Sequence, residues 1–240
     1  MTGIPETAMV LAAGLGTRLR PVTDRLPKPL VSVAGRTLID RALDRLVAAG
    51  VARAVVNLHY KAELLRRHLA ARGDIEIVFS PEEILLDTGG GVARALPQLG
   101  ETFFIVNSDI VWRDGKDQAL KRLAAAFDAR CRDALLLLQR TTTAVGYEGS
   151  GDFMLDQLGL LRRRKEHEVA PHLFAGVEIA HRGLFDGAPS GAFSMNPLWN
   201  RAIAAQRCAG LVHDGEWFHV GTPAGLAAAE DQLAPRRTGR

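Results

Sequence analysis

The feature that most constrains this chain is the alternation of short, continuous apolar runs with longer amphipathic segments through its first 140 residues. Residues 8–13 (AMVLAA) are apolar without interruption and stop at Gly14, the form of a strand buried on both faces. Residues 37–49 are amphipathic instead, with Leu38, Ile39, Ala42, Leu43, Leu46 and Val47 at helical spacing. Thr37 can cap the start of that helix with Asp40 three residues on, and Gly50 stands where a left-handed C-terminal residue is wanted. The alternation continues with strands over 54–58, 75–79, 103–107 and 134–139 and helices over 61–72, 92–99 and 116–129. Strands and helices at this spacing predict an α/β fold, a parallel sheet with helices on both faces. After residue 140 the rhythm changes. Residues 149–163 alternate like a short antiparallel hairpin, 173–180 read as a strand, and helices are expected over 197–208 and 223–233. No linker separates the two parts, so residues 8–233 read as one domain. Residues 1–7 lack periodicity and are expected to be disordered, and 234–240 form a tail.

Composition removes other classes. The 240 residues carry a formal net charge of +3, and no segment concentrates the positive charge as a nucleic-acid interface would. No apolar run approaches the roughly 20 residues of a membrane span, and no basic segment followed by an apolar stretch opens the chain as a secretion signal would. Neither nucleic acid nor membrane is therefore an expected partner. Cys131 and Cys208 are isolated and far apart, which fits neither a disulfide framework nor a zinc site, and no His-Glu-x-x-His occurs. A reduced, cytoplasmic protein is expected, with its oligomeric state left open.

In an open parallel sheet, ligands bind beyond the carboxyl ends of the strands. The first strand-end loop is Gly14-Leu15-Gly16-Thr17-Arg18-Leu19-Arg20-Pro21, continuing to Pro27-Lys28-Pro29-Leu30. Glycines straight after a buried strand let backbone amides approach an anion, and Arg18, Arg20 and Lys28 add charge for phosphate oxygens. The loop is neither a P-loop, lacking the Gly-Lys-Ser/Thr ending, nor a dinucleotide fingerprint, since Leu19 stands where a third glycine is needed.

Leu11-Ala12-Ala13-Gly14-Leu15-Gly16-Thr17-Arg18 with Pro27-Lys28-Pro29-Leu30 downstream resembles the signature of the sugar-1-phosphate nucleotidyltransferases, and the resemblance extends over roughly residues 8–233. It implies a Rossmann-like nucleotidyltransferase fold with a mixed, mostly parallel sheet and a small antiparallel extension. It also implies transfer of a nucleotidyl group from a nucleoside triphosphate to a sugar 1-phosphate. On this resemblance the nucleotide is held by Leu11, Ala12, Ala13, Gly14, Gly16, Thr17, Arg18 and Lys28, and by Thr88, Gly89 and Gly90 of the Leu86-Asp87-Thr88-Gly89-Gly90-Gly91 loop. Side-chain-free glycines in that second loop would let a flat base lie against the backbone. The strand Phe103-Phe104-Ile105-Val106-Asn107-Ser108-Asp109 ends on a carboxylate, which in the family holds magnesium. Such a cation needs only one or two protein carboxylates beside phosphate and water.

Gly215-Glu216-Trp217-Phe218-His219-Val220-Gly221-Thr222-Pro223 resembles the family's Asp-Val-Gly-Thr-Pro segment, whose Asp is a second metal ligand, but His219 occupies that position. Imidazole suits softer metals than magnesium. Three readings are open: His219 binds phosphate or a metal such as manganese, Asp214 or Glu216 substitutes, or the site is weakened. The resemblance further implies Asn107, Asp152 and Gly176 for the sugar, while Arg162, Arg163, Arg164 and Lys165 read as a solvated hairpin edge and Trp112 and Trp199 as packing residues. Arg18 is assigned to the leaving phosphates, Lys28 to the α-phosphate and incoming sugar phosphate, and Asp109 to the metal. The run from Leu86 through Ala95-Leu96-Pro97 to Asn107-Ser108-Asp109 looks most like family members that transfer uridylyl from UTP to N-acetylmuramate 1-phosphate in peptidoglycan recycling. Members using mannose, heptose or glucose phosphates with GTP, CTP or UTP share the first loop. A non-catalytic sugar-nucleotide sensor and a nicotinamide-dependent oxidoreductase are the readings from other classes.

Overall fold

The computed structural model describes residues 3–234. The first half runs β1 (Thr7–Leu11), β2 (Ser32–Val33), β3 (Arg36–Thr37), α1 (Leu38–Ala49), β4 (Arg53–Leu58), α2 (Ala62–Leu69), β5 (Glu76–Pro81), α3 (Asp87–Ala95) and β6 (Thr102–Asn107). There follow β7 (Ile110–Arg113), α4 (Ala119–Ala126), β8 (Ala134–Arg140), β9 (Ala144–Val145), β10 (Phe153–Leu155), β11 (Leu161–Arg163), β12 (His172–His181), α5 (Asn196–Ala204), β13 (Cys208–Val212), β14 (Glu216–His219) and α6 (Pro223–Leu233).

The main sheet has the order β11-β10-β12-β6-β1-β4-β5, with β8 pairing β12 and β13. Strands β6, β1, β4 and β5 are mutually parallel, β12 is antiparallel to β6, and β13 is parallel to β8. The alternation of side chains along each strand divides the core between two faces. Ala8, Val10, Ala54, Val56, Phe104 and Val106 pack with α1, α2 and α4. Met9, Val55, Phe103 and Ile105 pack with α3 and α5. The continuous apolar strands of the sequence are apolar because each has a helix layer on both sides. A smaller sheet of order β7-β14-β9 covers one flank, with α6 packed on Phe218. This is the mixed, mostly parallel arrangement expected, with small antiparallel pairings beside it.

The chain winds outward from β1 through β4 to β5 and then returns to β6 on the other side of β1. The strand order therefore reverses between β1 and β6, and a crevice opens beyond their carboxyl ends. Loops 12–18 and 108–109 meet at that crevice, and the Ser108 amide and hydroxyl both donate to the Leu11 carbonyl, at 3.1 and 2.6 Å.

Several boundaries differ from expectation for identifiable reasons. The Glu6 carbonyl accepts from the Ala52 and Arg53 amides, so order begins ahead of residue 8; residues 1–2 and 235–240 lie outside the described residues. Helix α3 starts at Asp87 rather than 92, so the three glycines form its first turns instead of a loop. The helix expected over 197–208 ends at Ala204, and Cys208–Val212 is a strand added beside β8. Thr37 caps α1 through the Asp40 amide, and Gly50 takes φ 98° as the spacing predicted. No helix among the described residues is long and apolar enough to cross a membrane.

Candidate active site

The crevice holds a cavity of about 390 Å³. One wall is the first strand-end loop, Ala12 to Arg18, with Lys28 and Pro29; the other contains Leu85, Asp87 and Thr88. Asn57, Asn107, Ser108 and Asp109 lie between, and Gly221 comes from the loop after β14.

The first loop is shaped by Gly16. Its φ of +65° suits glycine, and a Cβ there would lie 2.9 Å from Thr23 Cγ2 and 3.0 Å from Lys28 Cβ. The Thr23 hydroxyl donates to the Gly16 carbonyl at 2.8 Å, and the Tyr60 hydroxyl donates to the Thr23 carbonyl at 3.0 Å. Gly14 has no such neighbour and no positive φ, so its missing side chain leaves open space at the cavity. This bracing holds Lys28, whose side chain is 9% exposed, with its ammonium 2.6 Å from Asp109 Oδ2. Arg18 is exposed on the cavity wall while its neighbour Leu19 is buried as the loop's anchor. Arg20 instead pairs with Asp24 at 3.2 Å on the exposed surface.

Strand β14 runs antiparallel to β7 with His219 opposite Ile110 and Glu216 opposite Arg113. His219 is thereby next to the strand end that carries Asp109, whereas Glu216 is at the far end and pairs with Arg113 at 3.1 Å. Asp214 pairs with Arg122 at 2.6 Å. The two acidic substitutes considered from sequence are thus engaged away from the cavity. Burial, and after it the positive charges of Arg18 and Lys28, hold the His219 imidazole below its ordinary range, with Asp109 acting the other way. His219 is therefore half-buried and held toward its neutral form. It is not itself among the cavity-lining residues; its ring lies against Gly221, which is.

Among the described residues, no group of three or more His, Cys, Asp and Glu side chains is arranged to hold a metal ion. The residues fit a different kind of site. Asp109 opens on the cavity with its side chain 37% exposed, and a hard divalent cation can complete its shell from phosphate oxygens and water. Such an ion would be shared with the substrate rather than caged by protein.

Of the residues singled out in the sequence, Leu11, Ala12, Ala13, Gly14, Gly16, Thr17, Arg18, Lys28, Thr88, Asn107 and Asp109 line one cavity. Gly89 and Gly90 do not. They are buried in α3, where a Cβ on Gly89 would lie 2.5 Å from the Phe193 ring and one on Gly90 would strike the Gly191 carbonyl. The third glycine, Gly91, faces Asn57 Nδ2 and Glu82 Oε1, each 2.9 Å from where a Cβ would be. The glycine run thus lets α3 pack against segment 191–194 and a buried polar pair. The Thr88 hydroxyl accepts from the Met195 amide at 3.0 Å, which fixes the cavity end of the same helix.

Asp152 and Gly176 are not among the cavity-lining residues either. Asp152 Oδ2 accepts from the Phe174 amide at 2.9 Å, tying β10 to β12. Gly176, at φ +80°, lies where the β12–β8 register shifts and backs Ile110 and the Asn107 Cβ. The basic run is also absorbed locally. Arg162 pairs with Glu168 at 2.7 Å, and Arg163 lies over the Phe153 ring while bonding Asn196 and Asn200. Trp112 and Trp199 are buried. Sequence reasoning passed over Asn57, although a lone amide within the run Ala54-Val55-Val56-Asn57-Leu58 was a readable signal.

The sequence profile of the family described as Nucleotidyl transferase matches residues 7–147. N-acetylmuramate alpha-1-phosphate uridylyltransferase of Caulobacter vibrioides is 45% identical, over 98% of this chain and 99% of its own. The protein of the same name from Neisseria meningitidis serogroup B is 34% identical, over 93% and 96%. Among solved structures, UDP-glucose pyrophosphorylase complexed with UDP-glucose superposes with a TM-score of 0.78 at 14% identity, covering 95% of this chain and 98% of that one. At that identity the likeness concerns the fold.

Proposed function

The chain belongs to the nucleotidyl transferase family, and from that premise we propose that it joins UTP to N-acetylmuramate 1-phosphate, giving the uridine diphosphate sugar and pyrophosphate. The observation that carries the reading is the pairing of Lys28 and Asp109, 2.6 Å apart, on a cavity bounded by two strand-end loops where the sheet order reverses.

The reaction asks for positioning and charge neutralisation rather than covalent help. An oxygen of the sugar phosphate forms a bond to the α-phosphorus as the bond to the bridging oxygen breaks, and pyrophosphate leaves with that electron pair. Lys28 is held almost without solvent, so its ammonium meets the α-phosphate and the incoming phosphate at low reorganisation cost. Exposed Arg18 suits the mobile β- and γ-phosphates, which must depart. Asp109, with neutral His219 alongside, would hold a divalent cation, magnesium or manganese, whose chemistry there is to offset charge on the phosphate oxygens. In the free protein Lys28 and Asp109 satisfy each other; with substrate, each has a partner of its own, phosphate and cation. A reaction drawing on cellular nucleoside triphosphate fits a cytoplasmic protein.

The test is a panel of UTP, GTP and CTP against the 1-phosphates of N-acetylmuramate, mannose, heptose and glucose, read by pyrophosphate release. Release is expected to be greatest with UTP and N-acetylmuramate 1-phosphate. Binding without release for every pair would identify a sensor instead.

A further inference from the structure

Strand β4 is buried from Ala54 to Leu58, and within that stretch Asn57, 3% exposed, is the one polar side chain. The Ala12 amide donates to Asn57 Oδ1 at 2.6 Å. That bond fixes the orientation of the carboxamide, because a backbone N–H can only donate. Asn57 Nδ2 therefore points the other way and donates to Glu82 Oε1 at 2.7 Å. Glu82 is 5% exposed, and its second oxygen, Oε2, accepts from the Leu86 amide at 3.0 Å. Its backbone is also fixed, with its amide donating to the Leu58 carbonyl at 2.8 Å and its carbonyl 3.0 Å from His59 Nδ1. Gly91 supplies the floor on which the pair rests.

Three hydrogen bonds thus join Ala12, on the first wall of the cavity, to Leu86, which lies between Leu85 and Asp87 of the second wall. We propose that Asn57 and Glu82 are positioning residues that set the spacing of the two walls, so that the phosphate end and the base end of a nucleotide are gripped together. The inference rests on the nucleotide-binding reading above and assigns a role to a buried carboxylate that does not itself line the cavity. Small misplacements of reacting groups are costly, so the two walls need such a rigid connection.

The chain of bonds has a polarity that makes the idea testable. Both ends, Ala12 and Leu86, offer N–H donors, so the pair between them must present oxygen outward at each end and share one N–H in the middle. Glu82→Gln alone leaves two amide NH₂ groups facing each other or the Leu86 amide unpaired. Asn57→Asp alone sets two carboxylates together. Asn57→Asp combined with Glu82→Gln reverses the central bond and satisfies every group again.

UTP binding with magnesium chloride would be measured by calorimetry, with melting temperature and the UTP KM and kcat recorded alongside. Each folded single variant is expected to bind UTP on the order of tenfold more weakly, with KM rising, while the double variant returns to within about threefold of wild type. Wild-type UTP affinity in a folded Glu82→Gln protein, or a double variant no better than the singles, would overturn the proposal. If a single variant fails to fold, Glu82→Asp serves. It keeps the charge but cannot reach both partners, so weaker binding supports the proposal and unchanged binding overturns it. Wild-type protein that binds no nucleotide would instead overturn the functional reading on which the proposal rests.

Discussion

Glu178 sits on β12 between Ile105 of β6 and Leu136 of β8, with none of its surface exposed. Its Oε2 accepts from Trp199 Nε1 at 2.9 Å, and its Oε1 has no partner. Complete burial pushes its carboxyl from an ordinary 4.5 up to about 8, with the Trp199 bond acting the other way. The folded state therefore binds the proton more tightly than the unfolded state does. The contribution to stability is whole below pH 4.5 and is lost as pH rises through about 8. At about 1.4 kcal/mol per pH unit, the rise from 4.5 to about 8 comes to on the order of 5 kcal/mol. Glu178→Gln keeps the acceptor for Trp199 and removes the titration. Urea unfolding of both proteins at intervals from pH 5 to pH 8.5 should show wild type losing ground steadily to the variant as pH rises. Parallel stability curves across that range would refute the reasoning, since they would mean that no proton is taken up by Glu178 on folding.

Gly16→Ala places a Cβ against Thr23 and Lys28 at a positive φ, so it should cost about 1–2 kcal/mol in unfolding and lower turnover by shifting Lys28. A variant with unchanged stability and turnover would show that the loop relaxes freely. His219→Asp sets a second carboxylate beside Asp109 and should tighten manganese binding in the absence of nucleotide, read by electron paramagnetic resonance; unchanged affinity would place residue 219 outside the metal's reach. Cys131 is exposed, whereas Cys208 is buried, with burial and nearby Glu178 raising its thiol pKa. One thiol should react with a colorimetric disulfide reagent in the native protein and the second only on unfolding. Two rapid equivalents would contradict the placement of β13.

Much of this arrangement was legible because its causes are local. A strand buried on both faces needs an unbroken apolar run, so β1 and β6 stood out, and the residues just after them, Gly14 to Arg18 and Asp109, were singled out by their strand-end position together with the family resemblance. The caps of α1 depend on residues within one turn and were readable for the same reason. What escaped depends on partners far along the chain. The three glycines looked like an open loop because the groups they accommodate, Phe193, Gly191 and the Asn57–Glu82 pair, lie elsewhere in the sequence. Asp152 and Gly176 matched a pocket pattern, yet one secures a strand amide and the other fills a register shift. Strand β13 was not legible, with only Cys208 touching the helix expected over 197–208, since Cys208–Val212 gains its meaning only from parallel pairing with β8.

The central claim is that a nucleotide and a sugar phosphate react over the Lys28–Asp109 pair. It is tested most directly by pyrophosphate release from UTP and N-acetylmuramate 1-phosphate in wild type, Lys28→Met and Asp109→Ala, with melting temperature measured on each. Wild type should release pyrophosphate. Both variants should stay folded, because Lys28 and Asp109 both line the cavity and Lys28→Met keeps the buried stem of the side chain, and should lose on the order of a hundredfold or more in turnover. Wild-type turnover in a folded Asp109→Ala protein, or no release from any pair in the panel, would contradict the account.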